Sequence, residues 1–184
     1  PAAVTVVSAT PDYGSRLRLR WLDAAGAELP TQGLMWSSGA MTVADGQALL
    51  AAYVVGVEVA ARLGRAVNDR HSELGWHTTV TLGTVGAAAA AGHLLRLDAG
   101  RMAHAIGIAA GMAGGLRGNF GTMTKALGPG LAAQHGVLAA KLAHQGFTAN
   151  PDVLEAHEGF VAMFCGREHA RPGRALDNIG APFE

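Results

Sequence analysis

The stretch from Gly75 to Phe147 decides the fold: it begins GWHTT at 75–79, continues as GAAAAAG at 86–92, and reaches GNFGTMTK at 118–125 before GPG at 128–130. Uninterrupted runs of Ala and Gly at helical length predict helices that pack closely, because small side chains let two helix axes approach. The stretch therefore predicts a mainly α fold, a bundle of Ala- and Gly-rich helices.

Composition indicates one domain without a nucleic-acid partner. The chain has 184 residues, which is enough for a single core. Only 15% of the residues are charged and the net charge is zero, without a basic run, which argues against nucleic acid. Met102–Leu116 is uncharged but has 15 residues, fewer than the ~20 that span a bilayer, so we predict no membrane role.

The single cysteine, Cys165, cannot form an internal disulfide or hold an iron–sulfur cluster. A reducing, cytoplasmic location is the prediction that follows. The zinc motif His-Glu-x-x-His, the Cys-x-x-Cys pair, the Gly-x-Ser-x-Gly nucleophile turn and the phosphate-binding Gly-Lys-Ser/Thr motif are all absent from the sequence. We therefore predict neither a metal nor another cofactor.

Three segments are predicted along the chain. Residues 1–41 are atypical: strands at 4–7 and 16–22, with a turn signal at 11–14, predict a β-hairpin. Residues 42–165 carry the helices, and the polar, Gly- and Pro-rich residues 166–184 indicate a linker toward a further domain.

Several helix boundaries follow from end signals in the helical segment. A capping box at Thr42 predicts a first helix that runs to Leu63 and stops at Gly64, with Glu58 and Arg62 as an i,i+4 pair. Helices are then predicted over 79–95, over 99–113 with Asp98 as the N-cap, and from Pro129 to Gln145.

His77 is the first candidate catalytic residue. An imidazole moves protons near neutral pH, and Thr78 beside it offers a hydroxyl for the ring or for a substrate oxygen. The alternative is a histidine at a helix start without a chemical role.

Lys125 is the second candidate, and it is one of two lysines in the chain. It follows Thr122 and Thr124 in a glycine-rich loop just before a predicted helix, where a cation, hydroxyls and free backbone N–H groups suit a carboxylate or phosphate. The alternative is a solvated loop lysine.

Several motifs together resemble the MmgE/PrpD family, which includes 2-methylcitrate dehydratase, cis-aconitate decarboxylase and iminodisuccinate epimerase. The resemblance covers about Ala44 to Phe164. The matching motifs are LAAYVVGVEV (50–59), GWHTT (75–79), GIAAG (107–111), GTMTK (121–125) and LAHQGFT (142–148).

The resemblance implies a helical domain that carries a smaller lid domain, a cleft between them, and a homodimer. It implies His77 in proton transfer and Lys125 in carboxylate binding, with Thr78, Thr122, Thr124 and Arg117 as further substrate-binding residues. The substrate would be a small di- or tricarboxylate, and the reaction a dehydration of the 2-methylcitrate type in propionate catabolism, without a cofactor.

Departures from the family pattern leave a second hypothesis open. The family's acidic, His-containing segment is not found upstream of Ala44, and Ala126-Leu127-Gly128 stands where the family often has a histidine. We expect an incomplete helical domain without its lid, so the isolated chain would be inactive. The alternative is a non-catalytic helical assembly or binding module. Dehydratase, decarboxylase and epimerase are not distinguished by the sequence.

Overall fold

The computed structural model describes residues 46–179 in full, and before them the backbone of four strands. These strands are β1 (Val6–Asp12), β2 (Arg16–Leu22), β3 (Gly33–Ser37) and β4 (Ala40–Ala44). They form two antiparallel pairs, β1 with β2 and β3 with β4. The predicted hairpin is confirmed, although β1 continues through Pro11 and Asp12, which we expected in the turn. The β3–β4 hairpin had not been predicted.

Helices make up most of the remaining chain, so the mainly α class is confirmed. The chain divides into two compact units, residues 1–46 and residues 47–184. The helices are α1 (Gly46–Val67), α2 (Arg70–Glu73), α3 (Thr78–Leu94), α4 (Ala99–Met112), α5 (Met123–His144) and α6 (Phe160–Cys165), with 3-10 turns at Arg117–Asn119, Arg167–His169 and Pro172–Ala175.

Helix α3 lies at the centre of the helical unit and packs against α1, α4 and α5. Its contacts with α1 and α5 bring backbone against backbone. A Cβ atom added to Gly86 of α3 would lie 2.5 Å from the carbonyl oxygen of Gly56 on α1, and one added to Gly136 of α5 would lie 2.6 Å from the backbone nitrogen of Ala88. Helix α3 is therefore held by the close helix packing that the Ala and Gly residues predict.

The first helix differs from its prediction at both ends. It runs to Val67, past the stop expected at Gly64, because Gly64 is buried and serves packing: a Cβ there would lie 3.3 Å from Leu82 Cδ1. It begins at Gly46, and Thr42 lies in β4, so the predicted capping box does not start this helix.

Helix α5 also begins earlier than predicted. Thr122 has extended backbone angles (φ −112°, ψ 167°) and the helix starts at Met123, so Pro129 lies inside it. Proline lacks the N–H that would bond the carbonyl four residues back, which here belongs to Lys125. Lys125 therefore lies in the first turn of α5 and not in a loop ahead of it.

Helix α1 is long and apolar enough to cross a bilayer by length and composition, a test that core helices of soluble proteins also pass.

The Arg62 side chain of α1 is buried and forms the predicted ion pair with Glu58. The same guanidinium donates hydrogen bonds to the carbonyls of Asp177 (2.7 Å), Asn178 (3.0 Å) and Ala175 (3.3 Å). Arg62 thus ties residues 175–178 to α1, while a linker role for 166–184 stays a prediction.

Candidate active site

A cavity of about 160 Å³ lies between α3, α5 and the segment that joins α4 to α5. Its wall is mostly apolar, with contributions from Val80 and Leu131, and glycines at 114, 115 and 128. The polar side chains that line it are His77, Asn119, Thr124, Lys125 and His135. Two candidate residues that are 48 positions apart in the sequence, His77 and Lys125, therefore share one cavity.

His77 is held in place by its backbone, which leaves its ring available. It is the N-cap residue of α3 (φ −84°, ψ 94°) and is 7% exposed. Its N–H donates to the carbonyl of Gly115 at 3.0 Å, and its own carbonyl accepts the N–H groups of Val80 and Thr81. No hydrogen bond to the imidazole is found within residues 46–179, and His77 lines the cavity.

Gly115 is the residue that permits this anchoring. Its φ is +106°, a left-handed conformation that favours glycine. A Cβ atom at this position would also lie 2.9 Å from Val80 Cβ. A side chain at position 115 would therefore disturb the bond that positions His77.

Lys125 is exposed and projects from the first turn of α5. Its Nζ lies 5.5 Å from the centroid of the Phe120 ring. No carboxylate pairs with it in the part of the chain that the structure describes. The lysine is thus a cation whose charge is available to an anion at the cavity.

Of the three threonines predicted to bind substrate, only Thr124 lines the cavity. Thr78 is half-buried in the first turn of α3, and its carbonyl lies 3.2 Å from the Thr81 hydroxyl. The Thr122 hydroxyl donates to the carbonyl of Asn119 at 2.7 Å. The Thr122 hydroxyl therefore supports the turn before α5, and the Thr78 side chain is not part of the cavity wall.

Arg117 also lies outside the cavity wall. One guanidinium nitrogen donates to the carbonyl oxygen of Ser72 at 2.9 Å and to its hydroxyl at 3.1 Å, and the guanidinium carbon lies 5.9 Å from the Phe120 centroid. The side chain joins the segment before α5 to α2, because its donors are directed at Ser72.

His135 and Asn119 line the cavity but were not among the sequence candidates. His135 is half-buried, and the spacing of Thr124, Gly128, Leu131 and His135 (i, i+4, i+7, i+11) puts all four on one face of α5. A helix predicted only from Pro129 leaves Thr124 and Gly128 out of this face, so the shared spacing that would identify His135 is not visible in that prediction.

A second histidine, His71, lies beside the N-terminal end of α3 and has a different environment. It is fully buried, with Nδ1 3.0 Å from the Phe164 carbonyl and Nε2 2.7 Å from the Thr81 hydroxyl. A carbonyl only accepts, so Nδ1 carries the proton and Nε2 accepts from Thr81. Burial lowers the pKa of His71, an effect partly opposed by the bond to Phe164. His71 is a neutral structural residue.

Cys165 has no chemical environment that would activate it. It is buried, and burial raises the pKa of its thiol, to which Glu168 adds. Its Sγ lies 3.0 Å from the carbonyl of Val161 on the same helix. Within residues 46–179, no group of three His, Cys, Asp or Glu side chains could hold a metal ion.

Comparison with known proteins finds cis-aconitate decarboxylases among the relatives of this chain. Human cis-aconitate decarboxylase is 39% identical over 123 residues, which is 65% of this chain and 25% of that protein. The enzyme of the same name from Aspergillus terreus is 36% identical over 169 residues, 88% of this chain and 32% of its own length. The mouse cis-aconitate decarboxylase is 37% identical over 121 residues.

The chain thus matches about a quarter to a third of the length of these relatives. The model of the MmgE/PrpD N-terminal domain matches residues 20–172, so the match begins within the segment that the sequence analysis set apart. This match takes in most of the chain, including the whole cavity wall. The chain therefore belongs to the MmgE/PrpD family.

Proposed function

We propose that the cavity binds a small di- or tricarboxylate and that the chain is part of a lyase acting on an aconitate-like acid. The observation that carries the proposal is the shared cavity of His77 and Lys125, whose imidazole and ammonium groups have no hydrogen-bond or ion-pair partner within the described residues. Two groups able to serve proton transfer and anion binding are thus free at one place.

The charges of the cavity wall support an anionic ligand. Its polar side chains are two histidines, a lysine, an asparagine and a threonine, and no Asp or Glu lines it. A carboxylate can accept from the ammonium, the amide, the hydroxyl and a ring N–H, and hydrogen bonds with an ionised partner are the stronger ones. A mostly apolar wall with a few polar groups is typical of small-molecule sites.

Decarboxylation is the reaction favoured by the names of the relatives. The carbon–carbon bond to one carboxylate breaks, its electron pair stays on the remaining carbon skeleton, and CO₂ leaves. A proton then takes its place on carbon. In this proposal His77 delivers that proton and Lys125 stabilises the negative charge on the neighbouring carboxylate.

Dehydration of the 2-methylcitrate type is the second candidate, motivated by the same pair of residues. A base removes a proton from carbon, and the cation stabilises the enolate-like state that results. The electron pair of that C–H bond then forms the double bond, while the hydroxyl group leaves with the C–O electron pair and takes a proton from the protonated base to become water. Both reactions need one proton-transfer group and one cation beside a carboxylate. The product, CO₂ or water with a new double bond, separates them.

Calorimetric titration of the purified chain with cis-aconitate and with 2-methylcitrate tests the binding proposal. We expect saturable binding that becomes at least about tenfold weaker in Lys125→Gln and in His77→Gln, since each loses a contact with an ionised partner worth roughly 1.5–3 kcal/mol. Lys141→Gln and His93→Gln are the matched controls, because neither residue lines the cavity. Equal affinities in all five proteins would contradict the proposal.

Turnover then separates an enzyme from a binding module. CO₂ release from cis-aconitate would support a decarboxylase, and loss of water from 2-methylcitrate a dehydratase. Binding without either product would agree with both hypotheses, since the isolated chain is expected to be inactive. We further propose a cytoplasmic homodimer, to be checked by light scattering; a monomer at all concentrations would count against the dimer.

A further inference from the structure

Phe120 lies beside both proposed catalytic groups without lining the cavity. Its ring centroid is 4.9 Å from that of His77, with the two planes at 77°, an edge-to-face arrangement. The Lys125 Nζ lies 5.5 Å from the same centroid, and the Arg117 guanidinium carbon 5.9 Å from it. One phenyl ring therefore contacts an imidazole and two cations.

The ring is itself fixed by the chain before it. The Phe120 N–H donates to the carbonyl of Arg117 at 2.9 Å, which closes the 3-10 turn Arg117–Asn119. Arg117 in turn is bonded to Ser72 on α2. The segment that carries Phe120 is thus bonded to α2, the helix just before His77. The Phe120 ring and the His77 imidazole are therefore both carried by backbone that is attached to α2.

Lys125 is exposed and its described surroundings offer no carboxylate, so its side chain keeps most of its rotamer freedom unless another group attracts the ammonium. An aromatic face attracts an ammonium by its quadrupole, which favours the rotamers that bring Nζ close to the Phe120 ring. The edge-to-face contact likewise gives the imidazole a preferred orientation.

We propose that Phe120 is a positioning residue, which keeps the Lys125 ammonium directed toward the cavity and the His77 ring at a fixed angle before substrate arrives. The expected effect of Phe120 on affinity rests on the proposed function, because only an anion that binds at the cavity would bind more tightly to a lysine already in place. The contact between Phe120 and Lys125 exists without any ligand, so the contact and its effect on affinity can be tested separately.

The first experiment measures the contact. Reductive methylation with ¹³C-formaldehyde and a borohydride turns each lysine into a dimethyl-lysine that keeps its charge, and the chain has two lysines, Lys125 and Lys141. We expect an upfield ring-current shift for the Lys125 methyl groups, loss of that shift in Phe120→Leu, and its retention in Phe120→Tyr. Lys141 provides the internal reference, and Lys125→Arg assigns the signals.

The second experiment measures the consequence, by titrating the same unlabelled variants with cis-aconitate. The dissociation constant should rise two- to fivefold in Phe120→Leu, which is 0.5–1 kcal/mol converted at about 1.4 kcal/mol per tenfold. Phe120→Tyr, which keeps the ring, should restore the affinity. Phe120 is 46% exposed, so both variants are expected to fold, and their melting temperatures check this.

The two experiments separate the positioning role of Phe120 from the proposed function. A Lys125 signal that does not respond to Phe120→Leu overturns the proposal, and so does a lost shift with unchanged affinity. If the unsubstituted chain binds no carboxylate, the proposed function fails, and the ring-current result alone then supports or overturns the positioning of Lys125.

Discussion

Two histidines six positions apart have opposite environments at the N-terminal end of α3. His71 is fully buried, and both ring nitrogens are bonded, to Phe164 and to Thr81. His77 is nearly as buried at 7% exposure, yet within the described residues its ring has no hydrogen bond, contacts Phe120 edge to face, and lines a cavity. Burial therefore does not distinguish the two histidines; unused hydrogen-bonding capacity does, and it supports the proposed role of His77.

The largest expected effect is the loss of stability in His71→Ala, of about 3 kcal/mol. The change leaves a cavity beside Trp76 and Phe164 and removes the donor to the Phe164 carbonyl. His77→Ala should cost less, because its ring loses the edge-to-face contact with Phe120 but no hydrogen bond. Urea unfolding of both variants measures the difference, and equal losses would remove the distinction between the two residues.

A pH dependence of stability is the next largest effect. The folded pKa of His71 lies below its ordinary value of 6.5, so the unfolded chain binds the extra proton first as pH falls. The stabilisation is complete above pH 6.5 and is lost as pH falls toward the folded pKa, by up to about 1.4 kcal/mol per pH unit.

Unfolding free energies at pH 7.5 and 5.5 check this. His71→Gln should lose less stability than the unsubstituted chain over that interval, because its residue 71 no longer titrates. The contributions of the other histidines cancel in the comparison. An identical pH dependence in both proteins would mean that His71 is not held neutral.

A smaller effect of about 1 kcal/mol is expected for Thr81→Val, because the buried Nε2 of His71 loses its donor. Thr84→Val is the matched control. Its hydroxyl donates at 2.7 Å to the Val80 carbonyl on the same helix. That carbonyl can still accept a backbone N–H of α3 when the hydroxyl is removed. Both side chains are fully buried, so differential scanning calorimetry should show a lower melting temperature for Thr81→Val alone.

The smallest effect concerns the far end of the cavity. His135→Ala should weaken cis-aconitate binding about threefold, since one ring N–H to a carboxylate is lost. His144→Ala, exposed near the end of the same helix, is the control. Calorimetry that finds equal affinities would restrict the ligand to the end near Lys125.

Helices set by local signals were predicted well. α3 was expected over 79–95 and is found over 78–94, and α4 ends one residue before its prediction, with the Asp98 side chain accepting the Arg101 N–H at 2.8 Å. Helix ends were misplaced where a glycine or proline had a tertiary role. Gly64 packs against α3 inside α1, and Pro129 is accommodated within α5.

The sequence places the candidate residues at the cavity only in part, because tertiary contacts also decide where their side chains lie. His77 and Lys125 lie in motifs that the family resemblance singled out, and the structure places both on one cavity. Arg117 looked like an anion-binding residue, but its donors reach Ser72, 45 positions earlier in the chain. Such a partner cannot be seen in local sequence, and neither can the Phe120 contact with His77.

The sequence by itself determined the helical class and the close approach of the helices, because Ala and Gly runs act through local propensity and small size. It also marked His77 and Lys125 as candidates for proton transfer and anion binding. Only the tertiary structure decided which polar groups are already satisfied and which are free. That difference depends on partners distant in sequence, such as Thr81 and Phe164 for His71, and it separates one histidine of the α3 terminus from the other.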